Sequence, residues 1–400
     1  MKIRFLSISL ISFLLISCGG GGGSAQAPDP VATVSLSANN SEVEIGSPVM
    51  LSWSSTNAQS CLASGNWSGT KAVSGSEEII INQSGMNSFN LTCSGESSSG
   101  SASVVVNGVI PRIDITNDIF SNRSSDCADY DENYRSSVRD LTRVIDFEGY
   151  LDIEASEEYC DIYSDNIPNH DFNDSSANFA HNAIEVERVF RVKRFPEQAS
   201  QNTEIRRNTW DALMLNGVVV DLKSAGCYSP SSPNANADGN IAAGCGQSAQ
   251  WNLVPLEYTS MFGVDLHNAH VQGDGTYHYH GNPNAMFDDN PSGDGSPFIG
   301  FAADGFPIYG SYILDDTTGL YRKVISGYSL KEGSRGIQSN TNPGGAYTGI
   351  YEEDWEWTDA GDLDECNGMT YKGQYGYYVT DRYPYIINCF KGTIDSSFSK

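Results

Sequence analysis

The chain has 400 residues, enough for about two or three domains. Its 39% apolar and 11% aromatic content supports packed cores and excludes global disorder. A formal net charge of −27 argues against a nucleic-acid partner, which needs a basic surface, and fits a solvated acidic coat able to concentrate cations.

Residues 1–18 read as a targeting segment. Lys2 and Arg4 form a short basic start, and Phe5–Ile16 is an apolar run too short for a stable membrane span. The run ends in Leu15-Ile16-Ser17-Cys18, which resembles the lipobox of bacterial lipoproteins. The resemblance implies that Cys18 is acylated and anchors the exported protein to a membrane of the cell envelope. Gly19, in place of Asp, leans toward the outer membrane. A signal peptide cleaved elsewhere is the alternative. Residues 19–30 are a flexible Gly/Ala/Pro/Ser tether, and no later segment is apolar enough to span a bilayer.

Setting Cys18 aside leaves eight of the nine cysteines, an even number suited to an oxidising compartment. Sequence proximity suggests Cys61–Cys93, Cys127–Cys160, Cys227–Cys245 and Cys366–Cys389. Paired cysteines are not thiolate ligands, so any metal site must be built from nitrogen and oxygen.

Residues 31–108 read as a small all-β domain, with apolar residues alternating around Val34, Val49, Ile79 and Phe89 between turn signals. The stretch resembles the immunoglobulin-like β-sandwich domains of bacterial surface proteins. Trp53 occupies the place of the usual first core cysteine, however, so a Cys61–Cys93 bridge would join different strands than usual. The domain serves either as a ligand-binding module or as a spacer.

Residues 109–133 form a polar connector and 134–392 a larger β-rich (α+β) domain, with 393–400 a tail. Val138, Leu141, Val144 and Ile145 fit helical spacing, but Val144–Ile153 also alternates and leans to strand. Ile184–Val192 alternates as well. Leu213–Leu222 is strand-like, with Asn216-Gly217 as a hairpin signal. Asn234–Gly239 resembles the front half of an EF-hand loop, but Cys245 stands where the twelfth-position Glu belongs. Gln250–Phe262 is the best helix candidate. Asp288–Gly295 is an acidic loop, either solvated or calcium-binding. Phe298–Gly310 reads as strand, turn, strand, with Asp304 either capping the turn or accepting a hydrogen bond from a metal-bound His. Tyr347, Tyr351, Trp355 and Trp357 suit sugar stacking or ordinary packing.

Chemistry concentrates in Asp265–Pro283, DLHNAHVQGDGTYHYHGNP, which holds four of the six histidines: His267, His270, His278 and His280. Neutral imidazole is the commonest protein metal ligand. A strand over Tyr277–His280 sends both imidazoles to one face and both tyrosines to the other. The Gly273-Asp274-Gly275 turn folds His267 and His270 back over it, with Asp265 or Asp274 as spare oxygens. The alternative is a core strand whose histidines are simply hydrogen-bonded.

TYHYHGNP, FAADGFPIYG, LDECNG (363–368) and YPYIINCFKG (383–392), in this order, resemble the YHYH domain family of exported proteins, and SDNIPNH (164–170) resembles its earlier segment. The resemblance implies metal binding inferred from histidines rather than a known activity, and it brings His170 toward the cluster. Leu266–His280 and Leu363–Tyr378 also echo one another, with Gly376 and Tyr378 standing where His278 and His280 stand.

Three functions follow as expectations. One is a metal-binding envelope lipoprotein holding copper or zinc for sequestration or structural use. Another is a metal-dependent hydrolase or redox enzyme, with Asp265, Asp274 or Asp304 as base. A third is a surface module binding glycan or protein without metal. His181 is expected to stand outside the site.

Overall fold

In the computed structural model, which describes residues 30–246 and 248–400, the chain divides into two units at Pro111/Arg112. The targeting segment, with Cys18, lies outside the described residues. The architecture is mainly β; Thr259–Phe262 is the one α-helix among the described residues.

Alternation builds the first unit. Along Pro48–Thr56, Val49, Leu51 and Trp53 point inward, and along Gly85–Ser94, Phe89, Leu91 and Cys93 do the same. The former strand is central in a three-stranded sheet and the latter in a five-stranded one. The two sheets enclose a shared core with Trp67 and Val106, so the unit is a β-sandwich. Cys61 and Cys93 are bonded partners on adjacent strands of one sheet, with Cα atoms 4.0 Å apart, so the bridge lies within a sheet rather than across the sandwich.

The second unit begins earlier than the connector reading allowed. Ile113–Asp114 pairs with Asn133–Asp140, Cys127 is bridged to Cys160, and the Arg112 guanidinium binds Asp152. Residues 112–133 are therefore structural. The helical spacing of Val138, Leu141, Val144 and Ile145 dissolves because these residues straddle a hairpin between Asn133–Asp140 and Ile145–Ala155, with Val144 at φ 57°. The tail is also folded in: Phe398 is fully buried against Phe190, 4.9 Å between ring centroids. The helix expected over Gln250–Phe262 shrinks to Pro255–Glu257 (3-10) and Thr259–Phe262, because Leu253, Phe262 and Tyr351 pack as a separate small cluster and left-handed Gly263 ends the turn.

The heart of this unit is an eight-stranded sheet. From edge to edge its order is Ala269–Val271, Tyr277–Tyr279, Val219–Val220, Ala212–Met214, Phe298–Ala302, Pro307–Tyr309, Gln374–Tyr378 and Gly368–Tyr371. The order is palindromic. Each half runs outward from an inner antiparallel hairpin, through a parallel neighbour, to an antiparallel edge strand. The halves share local geometry too. Asp265 Oδ1 accepts from the amides of His267 and Ala269, and Asp364 Oδ1 from those of Cys366 and Gly368. Asn268 and Asn367 both take positive φ, 59° and 66°. The echo is thus anchored by the aspartates and asparagines rather than the leucines. It places Met369, Gly376 and Tyr378 where the first half has His270, His278 and His280.

Candidate metal centre

The turn from Gln272 to Thr276 closes because Gly275 takes φ 92° and Asp274 Oδ1 accepts from the Thr276 amide (3.0 Å). The resulting hairpin sets His270 directly opposite His278. Opposed residues of an antiparallel pair share a face, and residues two apart along a strand do too. His270, His278 and His280 therefore gather on one side, with ring centroids 4.6, 4.7 and 4.8 Å apart. One nitrogen from each lies within 4.8 Å of the others, an arrangement that could hold a metal ion.

Two of the three rings are set to offer a lone pair. His270 Nδ1 donates to the Phe262 carbonyl (2.7 Å) and His278 Nδ1 to that of Thr276 (3.2 Å). A carbonyl only accepts, so in each neutral ring Nε2 is left as a lone pair. His280 Nε2 lies 3.1 Å from His270 Nε2, while His280 Nδ1 is buried without a hydrogen-bond partner. The 3.1 Å separation is an N–H···N hydrogen-bond distance, slightly shorter than the edge of about 3.3–3.4 Å between tetrahedral ligands held about 2.0–2.1 Å from one ion. The donor set fits a borderline divalent cation. The wider separations require the rings to draw together around it. Burial pushes His278 and His280 well below the ordinary imidazole pKa and lowers His270, keeping all three rings neutral and ligand-competent.

The other expected ligands lie elsewhere. His267 sits in the turn before the strand, where left-handed Asn268 breaks the alternation. Its Nδ1 faces the Pro283 carbonyl (2.5 Å) and its ring stacks on His170 at 3.7 Å. His170 is on the tyrosine face: its Nδ1 donates to the Asp171 carbonyl and its Nε2 accepts from the Tyr279 hydroxyl (2.6 Å). Burial takes His170 down to about 3. Asp265 Oδ2 accepts from the Tyr277 hydroxyl (2.8 Å) and the Asn173 amide, so both its oxygens organise the turn. Asp274 caps its turn and pairs with Arg188 at 3.1 Å. Asp304 caps the Phe306 amide and accepts from Tyr377 (2.7 Å) in the other half of the sheet. Neither calcium candidate is open: Asn236 closes its own turn and binds Tyr258, and Asp294 pairs with Lys372. Tyr351 is buried, and Trp355 stacks on Tyr383.

One side of the triad opens to a cleft of about 320 Å³. Its walls include residues that sequence reading passed over: Arg207, Asp221, Lys223, Gln272 and Lys400. His181 also lines it, against expectation. Asp221 follows the buried run Val218–Val220, and a carboxylate ending such a strand was the available signal. Its Oδ2 accepts from Gln272 Nε2 (2.7 Å) and Lys400 Nζ (2.5 Å). The basic residues come from distant segments and carried no local pattern.

The site and fold define a disulfide-stapled, mainly β domain with a buried three-histidine cluster facing a cleft. The family model described as YHYH protein matches residues 189–392, and the chain belongs to that family. No curated protein matches it. A solution NMR structure of a protein from Methanosarcina mazei is similar at 18% identity over 27% of this chain and 86% of that one, with a TM-score of 0.17, too low to carry a structural argument. Four disulfides, Cys61–Cys93, Cys127–Cys160, Cys227–Cys245 and Cys366–Cys389, mark an oxidising, extracytoplasmic setting.

Proposed function

We propose that the domain binds a divalent transition metal, copper or zinc, through Nε2 of His270, His278 and His280, in a lipoprotein anchored to the cell envelope through Cys18. The observation that carries the metal reading is the convergence of one nitrogen from each of three imidazoles within 4.8 Å of one another, two of the rings having their Nδ1 proton committed to a backbone carbonyl. The softness of imidazole and the absence of free thiolate among the described cysteines favour these two ions outside the cytoplasm.

The cleft against the triad favours a centre with one coordination position open over a closed structural site. Three nitrogen ligands plus an open position are what water activation requires, so metal-dependent hydrolysis is the second reading. Within it, the three histidines hold the ion and Asp221 borders the space where a reacting water would sit.

The test is metal analysis of protein purified without an affinity tag, followed by titration with zinc and copper. One equivalent should bind, and His278→Ala combined with His280→Ala should abolish uptake while the fold persists. A wild-type protein that takes up neither ion at micromolar supply refutes both readings.

A further inference from the structure

The triad lies at one end of a longer groove. The cleft it faces and a neighbouring cleft of about 620 Å³ share Arg207 and Lys223 as walls. Together their linings carry four permanent cations, Arg206, Arg207, Lys223 and Lys400, against two carboxylates, Asp221 and Glu204. The whole chain has 50 acidic against 23 basic residues, so this groove reverses the protein's overall balance.

The commitments of these groups matter more than their number. Lys400 pairs with Asp221 and Lys223 with Glu352. Arg207 donates from Nε, Nη1 and Nη2 to the Ser224 carbonyl, the Gly246 carbonyl and Asn252 Oδ1. All three acceptors are neutral, its charge also acts on Asp221 across the cleft, and two of its five N–H groups remain. Arg206 is exposed, and its guanidinium makes no ion pair or hydrogen bond among the described residues. Asp221 is only 5% exposed, and its Oδ1 is buried without a hydrogen-bond partner, as is that of the neighbouring Asp211, which burial and the Asp221 charge push up to about 8.

We propose that this groove binds a small oxyanion ligand, phosphate- or carboxylate-bearing, with Arg206 and Arg207 taking its charge and its other end directed at the histidine triad. Guanidinium forks match such oxygens in a way ammonium groups do not. The proposal rests on the metal reading only for the end of the groove at the triad.

Inorganic phosphate is the probe, titrated calorimetrically into zinc-loaded and chelator-treated protein at constant ionic strength set with chloride. Wild type should bind saturably, and Arg206→Glu should weaken binding at least tenfold with zinc content unchanged. Arg206 is exposed and unpartnered, so this variant leaves the fold intact. Binding that is non-saturable, or equal within twofold in wild type and Arg206→Glu, overturns the groove. If zinc never binds but chelator-treated protein still takes phosphate in an Arg206-dependent way, the groove stands and the metal reading fails. Zinc uptake without phosphate binding overturns the groove alone.

Discussion

Replacing Tyr279 by Phe tests the two-faced reading of the histidine strand. The Tyr279 hydroxyl is buried and accepts from Asn216 Nδ2 (2.8 Å) while donating to His170 Nε2 (2.6 Å). His170 has no other use for that nitrogen, because its Nδ1 proton is committed to the Asp171 carbonyl. Removing the hydroxyl leaves one buried N–H and one buried lone pair without partners, while Asn216 keeps its second bond to Asn169 (3.1 Å). Each orphaned group costs about 1–3 kcal/mol, so the variant should lose about 2–6 kcal/mol. For a unit of this size that lowers Tm by about 5–20 °C. Zinc affinity should stay within about threefold of wild type, because the three ligands leave the opposite face of the same hairpin. The assays are thermal unfolding and zinc titration at 25 °C. Unchanged stability would refute the hydroxyl's buried role. A loss of affinity beyond tenfold in folded protein would show that the faces do not act independently.

Three further outcomes follow. His267→Ala should leave zinc stoichiometry at one equivalent, read by metal analysis, because His267 stacks on His170 away from the triad. Burial raises Asp165 to about 6 despite the Tyr150 and Ile167 amides that bind it. Its native proton affinity exceeds the unfolded one, so its stability contribution is full below about pH 4 and is lost as pH rises through 6; Asp165→Asn should therefore gain up to about 3 kcal/mol over wild type at pH 8 and little at pH 4, by urea midpoints. Opening Cys127–Cys160 by double alanine substitution frees a loop of 33 residues and should cost about 4 kcal/mol in chain entropy, again by urea unfolding.

Local pattern reached part of this structure. Asn216-Gly217 and Asp304-Gly305 both turn hairpins, and the period of two in YHYH sets which rings share a face. The four disulfides join the nearest cysteines in sequence. What failed was whatever depended on distant partners. The helical spacing near Val138 was an accident of a turn, and 112–133 is polar yet held by a sheet edge, a bridge and Arg112. His267 shares the motif but not its neighbours' geometry, because Asn268 reverses the chain between it and the strand. Arg207, Asp221 and Lys400 meet the triad only through folding.

The palindromic sheet separates frame from chemistry without any second sequence. Positions that match between the halves perform the same task. Asp265 and Asp364 organise equivalent turns, and Tyr279 and Tyr377 bond to Asn216 and Asp304 at the tips of equivalent hairpins. His267 corresponds to Cys366, a disulfide cysteine, which places it with the frame. Four of the positions that differ gather on one face: three histidines against Met369, Gly376 and Tyr378, and Asp221 against Tyr309. In the second half, Tyr309 and Tyr378 pack at 5.3 Å with Arg123 over the Tyr309 ring, and a Cβ at Gly376 would come within 2.6 Å of that ring. Aromatic packing there fills the space that the first half leaves as a cleft. A frame that closes in one copy and stays open in the other locates the function on the open side, where the imidazoles and Asp221 are.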